Sequence, residues 1–235
     1  MNEGLPHLSR PTQEGIAFHP KTETRRTGNQ WNWVVKIGGS LFDCVELTER
    51  LSHLLKHLRE PVLLVAGGGG FADEVRRLDE IHQWPAAFSH QLAIQAMSLG
   101  ATILGAQLQL PVFTTDADLQ CMDSPATSAV VDVARLQVIE ELSSGWETTS
   151  DSIAAHLATR FSGGRLLLVK STELNDSDCS PIQLSTLELV DQAFPQFAAG
   201  LQQLAWVNLR SRPLKVQPIP LRSADAGEHR SLPRE

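Results

Sequence analysis

At 235 residues the chain has room for one large or two small domains with a real hydrophobic core. Its formal net charge of -7 argues against a general nucleic-acid binder, because phosphate contacts need a basic face. Cys44, Cys121 and Cys179 are odd in number and lack CxxC spacing, no apolar run reaches membrane-span length, and the start lacks a signal-peptide core. These features argue against a disulfide framework, a zinc site and a membrane partner, and the expected location is a reducing cytoplasm.

Residues 1–30 are polar and aperiodic, rich in Pro, Thr, Arg and Gly, which predicts a poorly ordered arm that tertiary contacts could still pin. Trp31–Ile37 reads as the first strand: Val34, Val35 and Ile37 are β-branched and bounded by punctuation. Lys36 stands at its end, followed by Gly38, Gly39 and Ser40. Without a Cβ, the two glycines let a polyphosphate approach their N–H groups. A lysine among apolar neighbours is costly unless it faces an anion or a partner; the alternative is a tight turn with Lys36 snorkelling to solvent. Val45, Leu47, Leu51, Leu54, Leu55 and Leu58 then recur at helical spacing, and Pro61 follows the helix end. His53 and His57 lie one helical turn apart, as metal ligands can. With no third ligand nearby they read as a solvated face, and no metal site is assigned.

Pro61–Ala66 is a second apolar strand, running into Gly67, Gly68, Gly69 and Gly70 and a helical stretch from Phe71 to Leu78. Strand, glycines and helix together can hold an anion at a helix N-terminus. Gly67, Gly69 and Ala72 also satisfy GxGxxA, but a dinucleotide fold needs a strand ending in an acid about twenty residues on. Phe88–Leu108 instead reads as helix, and the Walker pattern is absent. Pro111–Thr115 predicts a short strand, followed by an acidic loop through Pro125. Ala129–Val133 predicts another strand, and Leu136–Leu142 a short helix or turn. Thr149, Ser150, Asp151 and Ser152 make a good helix start, and an N-cap alone would explain Ser150 or Asp151. Gly163-Gly164 ends that helix, and Arg165–Lys170 forms a strand that again finishes in lysine. A polar loop from Ser171 to Pro181, a helix at Phe194–Leu204, a strand at Ala205–Leu209 and a Pro-rich tail complete the chain. The expected folded domain is 31–220, with a tail at 221–235. Strands alternating with helices predict an α/β three-layer sandwich, αβα, with a mainly parallel central sheet.

In an open parallel sheet, ligands gather beyond the carboxyl ends of the strands. Lys36, Gly38-Gly39, Gly67–Gly70, Asp151 and Lys170 all fall at or after predicted strand ends. That inventory suits phosphoryl transfer, where a protein positions reactants and stabilises spread charge. Asp151 reads as a group orienting lysines rather than a base, because a phosphate acceptor is already ionised.

These residues resemble the amino acid kinase family, whose members include acetylglutamate, carbamate, aspartate and uridylate kinases. The resemblance rests on Lys36-Ile37-Gly38-Gly39-Ser40, Gly67–Gly70, Thr149–Ala154 and Leu166–Lys170, and spans about Trp33 to Leu209. Gly70–Arg76, Ser89–Met97 and Trp146–Ala155 look most like one branch, the aminomethyl-furanmethanol phosphate kinase of methanofuran biosynthesis. The resemblance implies a carbamate-kinase-like fold, a small-molecule acceptor, ATP and Mg²⁺ as cofactors, and a homo-oligomer. Carried over, Lys36, Asp151 and Lys170 would be catalytic, with Asp151 holding the lysine geometry. Gly38, Gly39, Ser40 and Ser171 would bind phosphates or nucleotide; Gly67, Gly68, Gly69, Gly70, Thr149 and Ser150 would bind the acceptor. Mg²⁺ would be held largely by the ATP phosphates.

The sequence also departs from the family pattern. Many members place Asp-Gly after the strand corresponding to Leu166–Lys170 and a further catalytic lysine later; here stand Glu173-Leu174-Asn175-Asp176, and only Lys215 remains downstream. Two further readings therefore stay open. One is a non-catalytic relative that binds a nucleotide, an anion or a partner; the other is a kinase of a carboxylate or nucleotide acceptor.

Overall fold

The computed structural model describes residues 31–120, 128–137, 139, 142, 146–175 and 179–221. The arm expected at 1–30, nearly all of the tail, Cys121 and much of 136–142 lie outside the described residues. The thiols described, Cys44 and Cys179, form no disulfide. No helix among the described residues is long and apolar enough to cross a membrane.

The strands are β1 (Trp33–Ile37), β2 (Val62–Ala66), β3 (Val112–Phe113), β4 (Ser128–Val131), β5 (Arg165–Lys170), β6 (Gln203–Asn208) and β7 (Val216–Pro218). They form one sheet in the order β3-β4-β2-β1-β5-β6-β7, parallel throughout except for the antiparallel β6–β7 pair. The helices are α1 (Leu47–Leu58), α2 (Gly69–His82), α3 (Ala86–Leu108), α4 (Asp116–Gln120), α5 (Ser150–Phe161), α6 (Pro181–Thr186) and α7 (Phe194–Ala198). They cover both faces, so the α/β three-layer arrangement with a mainly parallel sheet holds.

Every residue of β1 and β2 is buried, as central strands of a doubly covered sheet require. Side chains alternate between two cores. Trp33, Val35, Ile37, Leu167 and Val169 pack with Leu47, Leu51 and Leu54 of α1. Val34, Leu166 and Leu168 pack with Ile153, Ala154 and Leu157 of α5 and with Leu184 and Phe194. The period of two carries Lys36 and Lys170 to this second face, at the strand ends.

Four local expectations change. The helix expected at Phe194–Leu204 stops at Ala198, because the chain must turn back through Gly200 for Gln203 to pair with Arg165. The acidic segment before Pro125 begins with α4, and Asp118 accepts from the backbone N–H groups of Thr114 and Thr115 at its start. The polar stretch at Pro181 opens α6, with Ser180 and Gln183 forming a reciprocal capping box. The Pro-rich tail contributes β7, a three-residue edge strand.

Candidate active site

The chain places β2 on one side of β1 and β5 on the other, so the sheet's topological switch lies between β1 and β5. A crevice opens beyond the carboxyl ends at such a point. Lys36 projects there from β1 and Lys170 from β5, and α5 brings Asp151 over them. Asp151 Oδ1 meets Lys36 Nζ at 2.8 Å, and Oδ2 meets Lys170 Nζ at 2.9 Å. Lys170 Nζ also donates to the Leu189 carbonyl at 2.7 Å and lies 5.5 Å from the centre of the Trp206 ring. Lys36 is only 4% exposed and Asp151 5%, so this is a desolvated cluster and not a solvated ion pair. Burial raises the Asp151 carboxyl, but the Lys170 and Lys36 ammoniums outweigh it and leave the group below the usual carboxylate range. Burial pulls Lys170 down to about 8, against the stabilising Asp151 carboxylate and with the help of the Lys36 charge. One carboxylate facing two ammoniums leaves the cluster cationic, which suits an anionic ligand.

The helix carrying Asp151 is anchored from elsewhere. Thr149 makes no side-chain cap bond; instead Asp191 accepts from Thr149 N at 3.1 Å, Thr149 Oγ1 at 2.8 Å and Ser152 N at 3.0 Å, and from the Ser152 hydroxyl. Asp191 therefore caps α5 in trans and frees Asp151 for the lysines. Nothing local in the sequence marks it as the cap.

The glycines form two loops in direct backbone contact. A Cβ on Gly39 would sit 2.1 Å from Gly69 N, one on Gly67 would sit 2.7 Å from Gly39 N, and Gly69 adopts φ +53 against the Gly39 carbonyl. Gly38 N donates to Val169 O and Gly67 N to Ile37 O, which locks both loops to the sheet. The first N–H groups of α2 lack intrahelical acceptors and add a partial positive charge beside the loops. Ser40 Oγ and Ser171 Oγ, 2.8 Å apart, bridge the loop after β1 to the loop after β5.

A cavity of about 260 Å³ opens from these loops. Of the residues expected at the site, Gly39, Ser40, Gly67, Gly68, Gly69, Thr149 and Ser150 line it. Gly38 sits behind it, against Val169 and Lys170, and Gly70 lies exposed within α2 with nothing within 4 Å of a Cβ position. Several lining residues carry no signal in their type alone. Gly69, Ala72, Asp73 and Arg76 of α2, and His90, Ala93, Ile94 and Met97 of α3, each follow an i, i+3, i+4, i+7 stripe. That spacing was legible; which stripe faced a cavity was not.

Two outcomes follow from this geometry. Gly39→Ala should cost about 1–3 kcal/mol in denaturant unfolding, because the methyl must displace backbone. Gly70→Ala should be neutral or stabilising by up to about 1 kcal/mol. Loss of stability of similar size in both would mean the loops do not interlock. In the free site the Lys170 charge is fully present only well below pH 8 and is lost as pH rises through about 8. Inorganic pyrophosphate affinity, read by calorimetry, should therefore fall by up to about tenfold per pH unit above that value. In Lys170→Met this dependence should vanish.

A model of the amino acid kinase family matches residues 32–179. The [5-(aminomethyl)furan-3-yl]methyl phosphate kinase of Methanocaldococcus jannaschii is 25% identical over 206 residues, 79% of this chain and 91% of that protein. Uridylate kinase from Archaeoglobus fulgidus has the same fold at a TM-score of 0.53 and 16% identity, covering 82% of this chain and 91% of its own. UMP kinase from Ureaplasma parvum reaches a TM-score of 0.55 at 14% identity, covering 81% and 99%. These relatives and fold neighbours are kinases, that is, phosphotransferases. With the family model spanning more than half of its length, and the mainly parallel sheet shared with the solved kinases, the chain belongs to the amino acid kinase family.

Proposed function

We propose that the protein is an ATP-dependent small-molecule kinase that moves the γ-phosphoryl group of ATP onto a phosphate or carboxylate acceptor. The observation that carries this reading is the buried Lys36–Asp151–Lys170 cluster set against two interlocked glycine loops at the switch point of the sheet. An acceptor oxygen would form a bond to the γ-phosphorus as the bond to the β–γ bridging oxygen breaks, with ADP leaving with that electron pair. Lys36 and Lys170 would stabilise the charge spread over the moving group, and Asp151 would hold both ammoniums in place. The donor set fits a polyphosphate: ammoniums and N–H groups for its oxygens, with Ser40 and Ser171 at the rim. No group of three or more His, Cys, Asp or Glu side chains among the described residues could hold a metal ion, so we assign Mg²⁺ to the phosphates of ATP.

The cavity lined by Gly67–Gly69, Thr149 and Ser150 is the place for the acceptor. The named relative acts on a phosphate monoester of a furan, which favours a phosphorylated acceptor and a role in methanofuran-type one-carbon cofactor synthesis. We further propose that the enzyme works in the cytoplasm as a homo-oligomer. One observation favours a second reading, nucleotide or anion binding without turnover. Beyond β5 and β6 the Glu173 carboxylate accepts from Asn208 Nδ2 at 3.0 Å and from the Ser211 hydroxyl, so a negative charge stands near the expected nucleotide side.

Titration of MgATP into wild type and Lys36→Ala, followed by an ADP-release assay over phosphate-monoester and carboxylate acceptors, separates the two. The kinase reading expects saturable binding, and turnover reduced at least about a thousandfold in Lys36→Ala with its melting curve retained. Binding without ADP release for any acceptor would move the protein to the second reading.

A further inference from the structure

We propose that Arg210 is a binding residue for the donor polyphosphate: its guanidinium, held by Asp43 in the free protein, exchanges that carboxylate for phosphate oxygens. The inference rests on the reading of the Ser40–Ser171 rim as the place of the donor phosphates. It adds a third cation to the site, contributed by the turn after β6.

The turn after β6 is fixed from several directions. Leu209 N donates to the Lys170 carbonyl at 2.8 Å, which ties the turn to the end of β5. Arg50 Nη1 of α1 donates to the carbonyls of Leu209 at 2.7 Å and Ser211 at 3.1 Å. Asn208 is buried; its Oδ1 accepts from Arg210 N at 2.9 Å, and its Nδ2 donates to Glu173 at 3.0 Å. The backbone on both sides of Arg210 is therefore anchored, and its side chain leaves from a defined point. From there it reaches back past the end of β5 to the loop after β1. Nη2 donates to the Ser40 carbonyl at 3.0 Å and pairs with the Asp43 carboxylate. Both bonds use Nη2; among the described residues, Nε and Nη1 make no hydrogen bond.

Ser40 locates this guanidinium relative to the rest of the site. Ser40 lines the cavity given to the acceptor, its hydroxyl meets that of Ser171, and its carbonyl holds Arg210. Arg210 itself does not line that cavity, so its charge stands on the β5–β6 side of Ser40, beside the donor rim. The Arg210 side chain is 45% exposed and that of Asp43 74%, so their pair is worth little in water. A phosphate carries more charge than a carboxylate and matches the planar fork of guanidinium donors. The exchange thus loses a weak solvated pair and gains charge-assisted bonds from Nε and Nη1. Glu173, the other carboxylate near this side, bonds Asn208 and the Ser211 hydroxyl instead of Arg210. Were the Arg210–Asp43 pair only a strut between two loops, neutralising either partner would have the same effect. For a phosphate ligand and its competitor, the two effects have opposite signs.

The test measures calorimetric affinities of MgATP, inorganic tripolyphosphate and glycerol 3-phosphate. The proteins are wild type, Arg210→Met, Arg210→Lys, Asp43→Asn and the double variant carrying Asp43→Asn with Arg210→Met. Arg210→Met should weaken MgATP and tripolyphosphate alike by about tenfold or more, and glycerol 3-phosphate by less than about twofold. Arg210→Lys keeps the charge without the fork and should fall in between. Asp43→Asn should tighten both polyphosphates by about two- to fivefold, and most of that gain should vanish in the double variant. Were Arg210→Met not to fold, Arg210→Lys and Asp43→Asn would decide between the outcomes. The proposal is overturned by no MgATP binding in wild type, by unchanged polyphosphate affinity in Arg210→Met, or by equal weakening of all three ligands. It is also overturned if Asp43→Asn weakens both polyphosphates, or if its gain persists in the double variant. Polyphosphate affinity lost in Arg210→Met, with no ADP release over any acceptor in wild type, would sustain this inference and defeat the kinase reading. ADP release with the MgATP KM unchanged in Arg210→Met would do the reverse.

Discussion

One buried carboxylate shared between two buried ammoniums is the interaction on which the rest of this site depends. Either lysine alone on an apolar strand face would be a severe desolvation cost, and Asp151 offsets it for both. The arrangement needs two neighbouring parallel strands that end in lysine on the same face and a helix whose first turn lies above them. The β1–β5 pairing sets Lys36 beside Leu168, two residues before Lys170, so both ammoniums reach one carboxylate from adjacent strands. Two ammoniums against one carboxylate leave a net positive charge at the switch point, beside the glycine loops.

The strands that build this frame were legible because central parallel strands bury both faces and read as apolar, β-branched runs; β1, β2, β5 and β6 are of this kind. Elements held by local polar bonds or by an edge were not. The capping box of α6 looked like loop composition, α4 was hidden in an acidic stretch, and β7 has too few residues to show a period. α3 was legible from its length and its Ala, Leu and Met content, although it buries residues in both cores and shows little amphipathic contrast. At the candidate site, residue types and their places near strand ends singled out Lys36, Asp151 and Lys170, three side chains that the structure brings into contact. That both lysines share a face follows from the register of β1 against β5, which no pattern within either strand holds. What no local pattern held was the long-range polar scaffolding. Asp191 lies about forty residues beyond the helix start it caps, and Asp79, which accepts from the Trp146 indole N–H, is far from it in sequence.

The glycines divide by what surrounds them. Gly39, Gly67 and Gly69 are needed because two backbones touch, while Gly70 stands in open space beside them in the same run. A run of four glycines therefore mixes steric necessity with tolerance, and only the contact between the loops after β1 and β2 tells them apart. That contact also makes the two loops one surface: displacing either moves the N–H groups of both.

The cap supplied by Asp191 has a consequence for modularity. The segment matched by the family model ends at residue 179, short of Asp191, although it contains both lysines, both glycine loops and α5. A transplant of that segment into another sheet would carry all the charged groups of the buried cluster and leave behind the carboxylate that aims α5. The site is thus not portable as a contiguous stretch: the cluster's charges come from the first three-quarters of the chain, and their alignment is underwritten by the last.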